Sequence, residues 1–340
     1  MTARPGPRNS LTDVPGLKVG QAHDERVRTG VTVVLPDERV VCAVDVRGGG
    51  PGTRETDALN PENLIGAMVD AVVLSGGSMY GLAAADGVAA WLGANGRGYP
   101  VSQNPDVPRA PIVPAAILFD MANGGDKAWG LEPPYRRLGI EAAQAVGLDI
   151  ALGTAGCAYG AKAGGWKGGT GSASIITDDG LIVGAIAGVN SYGSVTAGDD
   201  RTFWATPFEL DGEFGGLGSA GLSSAPDHWN MAKANPGLRQ NTTIAVVATN
   251  AVLTPGDAKR VAIMAQDGLA RAVRPAHAPF DGDIVFALST ARRPLDEPAP
   301  MAVARIGALA ADVLARAIAR GVYEASSWPG SDIPAWKNGR

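Results

Sequence analysis

The sequence predicts an α+β layered fold in which mixed or antiparallel sheets are sandwiched by helices. Two observations predict it. Hairpin-type runs occur in the first two thirds of the chain, and the last third alternates apolar strands with long Ala-rich helices.

Residues 31–47 read as a hairpin, two β-branched runs around Pro36-Asp37-Glu38, and the glycine-rich Gly48 to Gly52 follows. Residues 70–75 form a short apolar strand, which Gly76-Gly77 separates from an Ala-rich helix near 79–93. Another helix is expected over 136–147. Residues 172–177 and 181–190 read as a second hairpin, turned at Asp178-Asp179-Gly180. The polar, glycine-rich stretch of about 191–238 has no clear periodicity. Residues 243–249 are a continuous apolar strand. Thr254-Pro255-Gly256-Asp257 then starts a helix, with Thr254 as cap, Pro255 in the first turn and Asp257 near the positive end. That helix runs to about Val273, with Val261, Met264, Ala265 and Leu269 on one face. Residues 283–290 are a further buried strand, and an Ala-rich helix covers roughly 299–322.

Composition narrows the function. The chain has 340 residues, 45% of them hydrophobic and 19% charged, enough to bury a sizeable core. A net charge of -5 gives no basic surface to track a phosphate backbone, so nucleic acid is not an expected partner. No run reaches the roughly 18 apolar residues of a membrane span, and the amino terminus does not read as a secretory signal. The two cysteines, Cys42 and Cys157, form no CxxC pair or disulfide framework, so a cytoplasmic location is expected. His23, His228 and His277 are far apart in sequence, which argues against a metal site or a histidine-based triad. No cofactor is implied.

Several glycine motifs offer chemistry. Gly216-Leu217-Gly218-Ser219-Ala220-Gly221 matches GxGxxG, but the following LSSAPDH does not read as the helix a dinucleotide site needs. Gly76-Gly77-Ser78-Met79-Tyr80 has Tyr80 where a nucleophile elbow needs glycine. The densest cluster, Gly164 to Ser172, contains Lys167. It reads equally well as a turn with a solvated lysine or as a backbone cradle beside a functional one. Asn190 ends an apolar strand, either as a turn former or as a donor to an oxyanion.

The segment Arg239-Gln240-Asn241-Thr242-Thr243 reads as a loop entering a strand, or as a self-cleavage point. In the second reading the Thr242 hydroxyl attacks the Asn241 carbonyl, and water resolves the ester to a new amino terminus. Asparagine tolerates the unusual backbone angles of such a bend. A freed α-amine titrates at about 7.7–8.0, so it can take the hydroxyl proton in a chain poor in histidine. Asp281 and Asp283 straddle the start of the next strand. They are either a solvated turn or a carboxylate pair that tunes the nucleophile.

These residues together resemble the β-aminopeptidase family, also described as L-aminopeptidase/D-amidase/esterases, which includes the 6-aminohexanoate-oligomer (nylon-oligomer) hydrolases. The resemblance is carried by Val46–Asp57, Leu74–Ser78 with Gly81–Gly87, Pro111–Ala116, Lys167–Ser174, Val189-Asn190 and Asn241-Thr242. It implies a four-layered αββα sandwich like the N-terminal-nucleophile hydrolases. It also implies one domain cut into 1–241 and 242–340, and a homo-tetramer of cleaved pairs. By resemblance Thr242 is nucleophile and base, Asn190 lies in the oxyanion region, and Lys167 surrounds the nucleophile, with Lys162 as a nearby competitor. Asp281 and Asp283 match the nylon-oligomer branch. The expected activity is hydrolysis of small amides or oligopeptides through an acyl-enzyme at Thr242. The alternatives are an aminopeptidase for β- or D-amino-acid amides and peptides, or an acyltransferase of the ornithine-acetyltransferase type.

Overall fold

The computed structural model describes residues 3–63, 67–197, 201–223, 232–233 and 241–338. Its strands begin with β1 (Ala3–Arg4), β2 (Leu17–Asp24), β3 (Thr29–Pro36), β4 (Val40–Val46), β5 (Thr53–Arg54) and β6 (Met68–Val69). Then come β7 (Val72–Ser75), helix α1 (Ala83–Ala94), β8 (Ala115–Ile117) and helix α2 (Tyr135–Gln144). The chain continues through β9 (Lys162–Ala163), β10 (Trp166–Lys167), β11 (Gly169–Thr177) and β12 (Ile182–Asn190). It closes with β13 (Thr242–Ala251), α3 (Pro255–Ala272), β14 (Ile284–Arg293) and α4 (Ala299–Tyr323).

Seven strands form one sheet in the order β1-β11-β12-β13-β14-β4-β6, and five form another, β2-β3-β7-β8-β5. Side chains alternate along each strand, and the alternation builds the layers. On β13, Ala245 and Val247 face a core shared with α3 and α4, while Ile244, Val246 and Ala248 face the other sheet. On β14, Val285 and Ala287 turn toward the helices, whereas Ile284, Phe286 and Leu288 point between the sheets. In the second sheet Val31 and Val33 pack with Val88, Leu92 and Leu138 of α1 and α2, and Val34 and Leu74 fill the inter-sheet core. The order of layers is therefore helix, sheet, sheet, helix, the αββα sandwich that the resemblance implied.

The expected strand and helix of the last third are present. Thr254 caps α3 by accepting the Asp257 N–H, and the Asp257 carboxylate returns to the Thr254 N–H at 3.2 Å, a closed capping box. The second predicted hairpin is also found: β11 and β12 pair antiparallel from Gly169↔Val189 to Ile176↔Ile182. The helix expected near 79–93 starts as a 3-10 turn over Ser78–Leu82 and continues as α1.

The first predicted hairpin is not one. β3 pairs with β2 and β7, whereas β4 pairs with β14 and β6 in the other sheet. All eight residues of β3 are buried. Both hydrogen-bonding edges of β3 are already taken by β2 and β7, so the bend at 37–39 carries the chain across to the other sheet, where β4 pairs with β14 and β6. The GxGxxG match lies in irregular chain with Gly216 and Gly218 at positive φ. His228, Arg239, Gln240 and residues 198–200, 224–231 and 234–238 of the stretch 191–238 lie outside the described residues. Cys42 and Cys157 are buried free thiols. Among the described residues no helix is long and apolar enough to cross a membrane.

Candidate active site

The site forms where β13 begins. β13 is interior to its sheet, antiparallel to β12 and parallel to β14, so its first residues are covered from both sides. Asn241 is fully buried, and Thr242 is 3% exposed. The Thr242 hydroxyl donates to the carbonyl of Asn241, the carbonyl it would have to attack. That same oxygen accepts the Gly282 N–H at 2.9 Å. Glycine is required at 282 for space: a Cβ there would sit 2.6 Å from Thr242 Oγ1.

The Asn241↔Asp281 bridge and the Ile244↔Ile284 pair keep one register through this junction, which sets Asp283 beside Thr243. Asp283 Oδ1 accepts the Thr243 N–H at 2.8 Å. Its Oδ2 meets the N–H of His277 at 3.1 Å and the ring Nδ1 at 2.9 Å. Asp281 Oδ2 accepts the Ala278 N–H at 2.8 Å, and the Tyr192 N–H also donates to this carboxyl. Burial, with Asp283 adding like-charge repulsion, pushes the Asp281 carboxyl up to about 7.

Asn190 pairs with Thr242 across the antiparallel ladder, so the two side chains share a face. Its Nδ2 donates to the Phe119 carbonyl at 2.9 Å, and its Oδ1 accepts the Lys162 N–H at 2.9 Å. The Lys233 ammonium donates to the Asn190 carbonyl at 3.1 Å, and burial lowers this amine to about 7. Asn241, Thr243 and Asp281 each keep a buried side-chain polar atom with no hydrogen-bond partner among the described residues. Native interiors leave few such groups. Three neighbours in one place mark the junction as chemically unusual.

The structure thus gathers Asn241, Thr242, Asn190, Asp281 and Asp283. Lys167 is placed differently from the others. Fully buried, it donates to the Gly168 carbonyl at 2.7 Å and lies 4.6 Å over the Trp328 ring. Burial lowers its amine to about 7, and its charged neighbour is Asp120. Lys162 reaches the site through its backbone N–H. Sequence reasoning missed His277, Gly282, Tyr192 and Lys233. The spacing His277-x3-Asp281-Gly282-Asp283 was the signal that could have found the first two.

The four-layered αββα sandwich is a fold of the N-terminal-nucleophile (Ntn) hydrolase class. The L-aminopeptidase D-Ala-esterase/amidase of Ochrobactrum anthropi, described as a new variant of that fold, aligns with a TM-score of 0.71 at 22% identity, over 98% of this chain and 91% of its own. A Burkholderia β-aminopeptidase aligns with a TM-score of 0.69 at 20% identity, over 98% and 92%. The chain itself belongs to peptidase family S58, which it matches over residues 9–334. An uncharacterized aminopeptidase of Mycobacterium tuberculosis is 43% identical, with 97% of each chain covered. A 6-aminohexanoate-oligomer endohydrolase of Kocuria sp. is 28% identical over 82% of this chain and 74% of its own. The protein is a hydrolase of peptide or amide bonds.

Proposed function

We propose that this chain cuts itself between Asn241 and Thr242 and then works as an amidase or aminopeptidase with Thr242 as nucleophile. The observation that carries this reading is the shared Asn241 carbonyl, reached by the Thr242 hydroxyl and held by the Gly282 N–H. Attack forms the Oγ1–C bond, and the C–N bond breaks as the hydroxyl proton passes to the Thr242 nitrogen. Gly282 donates to the oxygen on which negative charge grows, within the range typical of such donors. Water then hydrolyses the ester, leaving the Asn241 carboxylate and a free Thr242 amine and hydroxyl.

In turnover the freed amine takes the hydroxyl proton as Oγ1 attacks the substrate carbonyl, and it returns a proton to the leaving amine. Asn190, beside Thr242 on the ladder, is the proposed donor to that oxyanion. A second water releases the acid. Substrates with a free amino-terminal residue are the favoured class, because the 43% identical relative covering nearly the whole of both chains is named an aminopeptidase. The nylon-oligomer likeness is more distant.

The test is intact mass. Purified wild type should give two chains split after Asn241, and Thr242→Ala one inactive chain; an uncut wild type that stays single on long incubation overturns the reading. Turnover on amino-acid amides, β-peptides and 6-aminohexanoate oligomers ranks substrates, and added amine acceptors reveal acyl transfer. Size-exclusion measurement tests the expected tetramer of cleaved pairs.

A further inference from the structure

We infer that His277 is a positioning residue for the Asn241–Thr242 bond, acting through Asp283. This rests on the self-cleavage reading above. His277 lies outside the described strands and helices, 23% exposed at its side chain, and its φ of +58° is in the left-handed region, which among side-chain-bearing residues Asn, Asp and His tolerate best. Its backbone N–H and its ring Nδ1 both meet Asp283 Oδ2. Carboxylate oxygens accept, so Nδ1 carries the hydrogen and donates.

Two donors on one oxygen fix the rotation of the carboxyl group. The other oxygen is then aimed at the Thr243 N–H. That N–H belongs to the peptide plane immediately after the nucleophile. Holding it sets the backbone angles of Thr242, and with them the line from Oγ1 to the Asn241 carbon. Small errors in such a line are costly, since a displacement of about 1 Å can lower a rate by roughly a hundredfold. The arrangement is the same in kind as an outer residue that orients a catalytic ligand without touching substrate.

The left-handed backbone at 277 allows a clean test. His277→Gly keeps the backbone conformation but deletes the ring donor. His277→Asn also tolerates that conformation and returns an N–H donor near the Nδ1 position. Self-cleavage, followed by mass after expression in cell-free extract, should slow at least tenfold in His277→Gly and recover to within about threefold of wild type in His277→Asn. Wild-type speed in His277→Gly overturns the inference, as does a His277→Asn variant equally slow. As a check independent of variant folding, 15N spectra of the uncut Thr242→Ala chain should show the His277 hydrogen on Nδ1; the Nε2–H tautomer overturns the inference. Failure of wild type to cut at all would instead overturn the self-cleavage reading.

Discussion

Gly282 donates its backbone N–H to the carbonyl of Asn241, and in the same place leaves room for the Thr242 hydroxyl. The two roles make position 282 a sharp probe. Its φ is not in the left-handed region, so Gly282→Ala tests space rather than backbone freedom. The added methyl would displace Oγ1 from the carbonyl, and self-cleavage should fall by at least tenfold. Time-resolved intact mass checks this. A wild-type rate would mean that Oγ1 attacks from some other position.

Substitutions at Thr242 separate the hydroxyl from the methyl. Thr242→Ser keeps the oxygen and should still cut itself, more slowly because the γ-methyl no longer restricts χ1. Thr242→Val keeps the branched shape and the β-strand preference but has no nucleophile, and should remain one chain. Mass spectrometry of both variants decides the matter, and cutting in Thr242→Val would exclude Thr242 chemistry.

The parts of the fold that could be read from sequence are those whose signal is local. The capped start of α3, the turn between β11 and β12, and the apolar run of β13 each lie within about ten residues. The path from β3 to β4 is not local in this sense, because both runs carry the same β-branched apolar pattern whichever sheet they join. The site divides in the same way. Thr242, Asn190, Asp281 and Asp283 stood out by residue type at strand ends. His277 read as an isolated histidine because it was weighed only against the other two histidines, although its partner Asp283 lies six residues on. Gly282 read only as a spacer between two acids. Lys167 shows that proximity in a glycine-rich motif does not settle where an ammonium points: its hydrogen bonds go to the Gly168 and Ala158 carbonyls.

Asp281 gives a stability prediction with a definite sign. Its carboxyl rises from 3.8 to about 7 on folding, chiefly through burial. Between about pH 4 and 7 the folded chain keeps a proton that the unfolded chain has released, so this group's contribution falls as pH rises. Below that window it contributes nothing, and above it the loss is complete. In the uncut Thr242→Ala background, Asp281→Asn should gain stability relative to its parent as pH rises from 4.5 to 8. Urea unfolding midpoints at each pH measure the difference, and a gap independent of pH would contradict the assignment.

Once the bond is cut, contacts between the two chains must hold them together. Arg316, on α4 and fully buried, reaches across the cleavage point in sequence to Glu213, Asn9 and Ser174. Its Nε meets Glu213 Oε1 at 2.5 Å and its Nη2 meets Oε2 at 3.0 Å, a bidentate pair. Nη1 and Nη2 also donate to the Ser174 carbonyl at 2.9 Å and to Asn9 Oδ1 at 2.8 Å. Removing only the acid strands a buried guanidinium, so Glu213→Ala should cost about 3–5 kcal/mol in the uncut background. Replacing both partners by apolar side chains, Glu213→Leu with Arg316→Met, should recover part of that loss, because Arg316 is no longer stranded while Arg320, 3.5 Å from Glu213 Oε2, still loses its carboxylate. After processing, wild-type fragments should co-elute on native size exclusion, while the Glu213→Ala fragments separate or precipitate. If the single and double variants were equally destabilised, the Asn9 and Ser174 contacts would carry the linkage rather than the ion pair, since the double variant removes those as well.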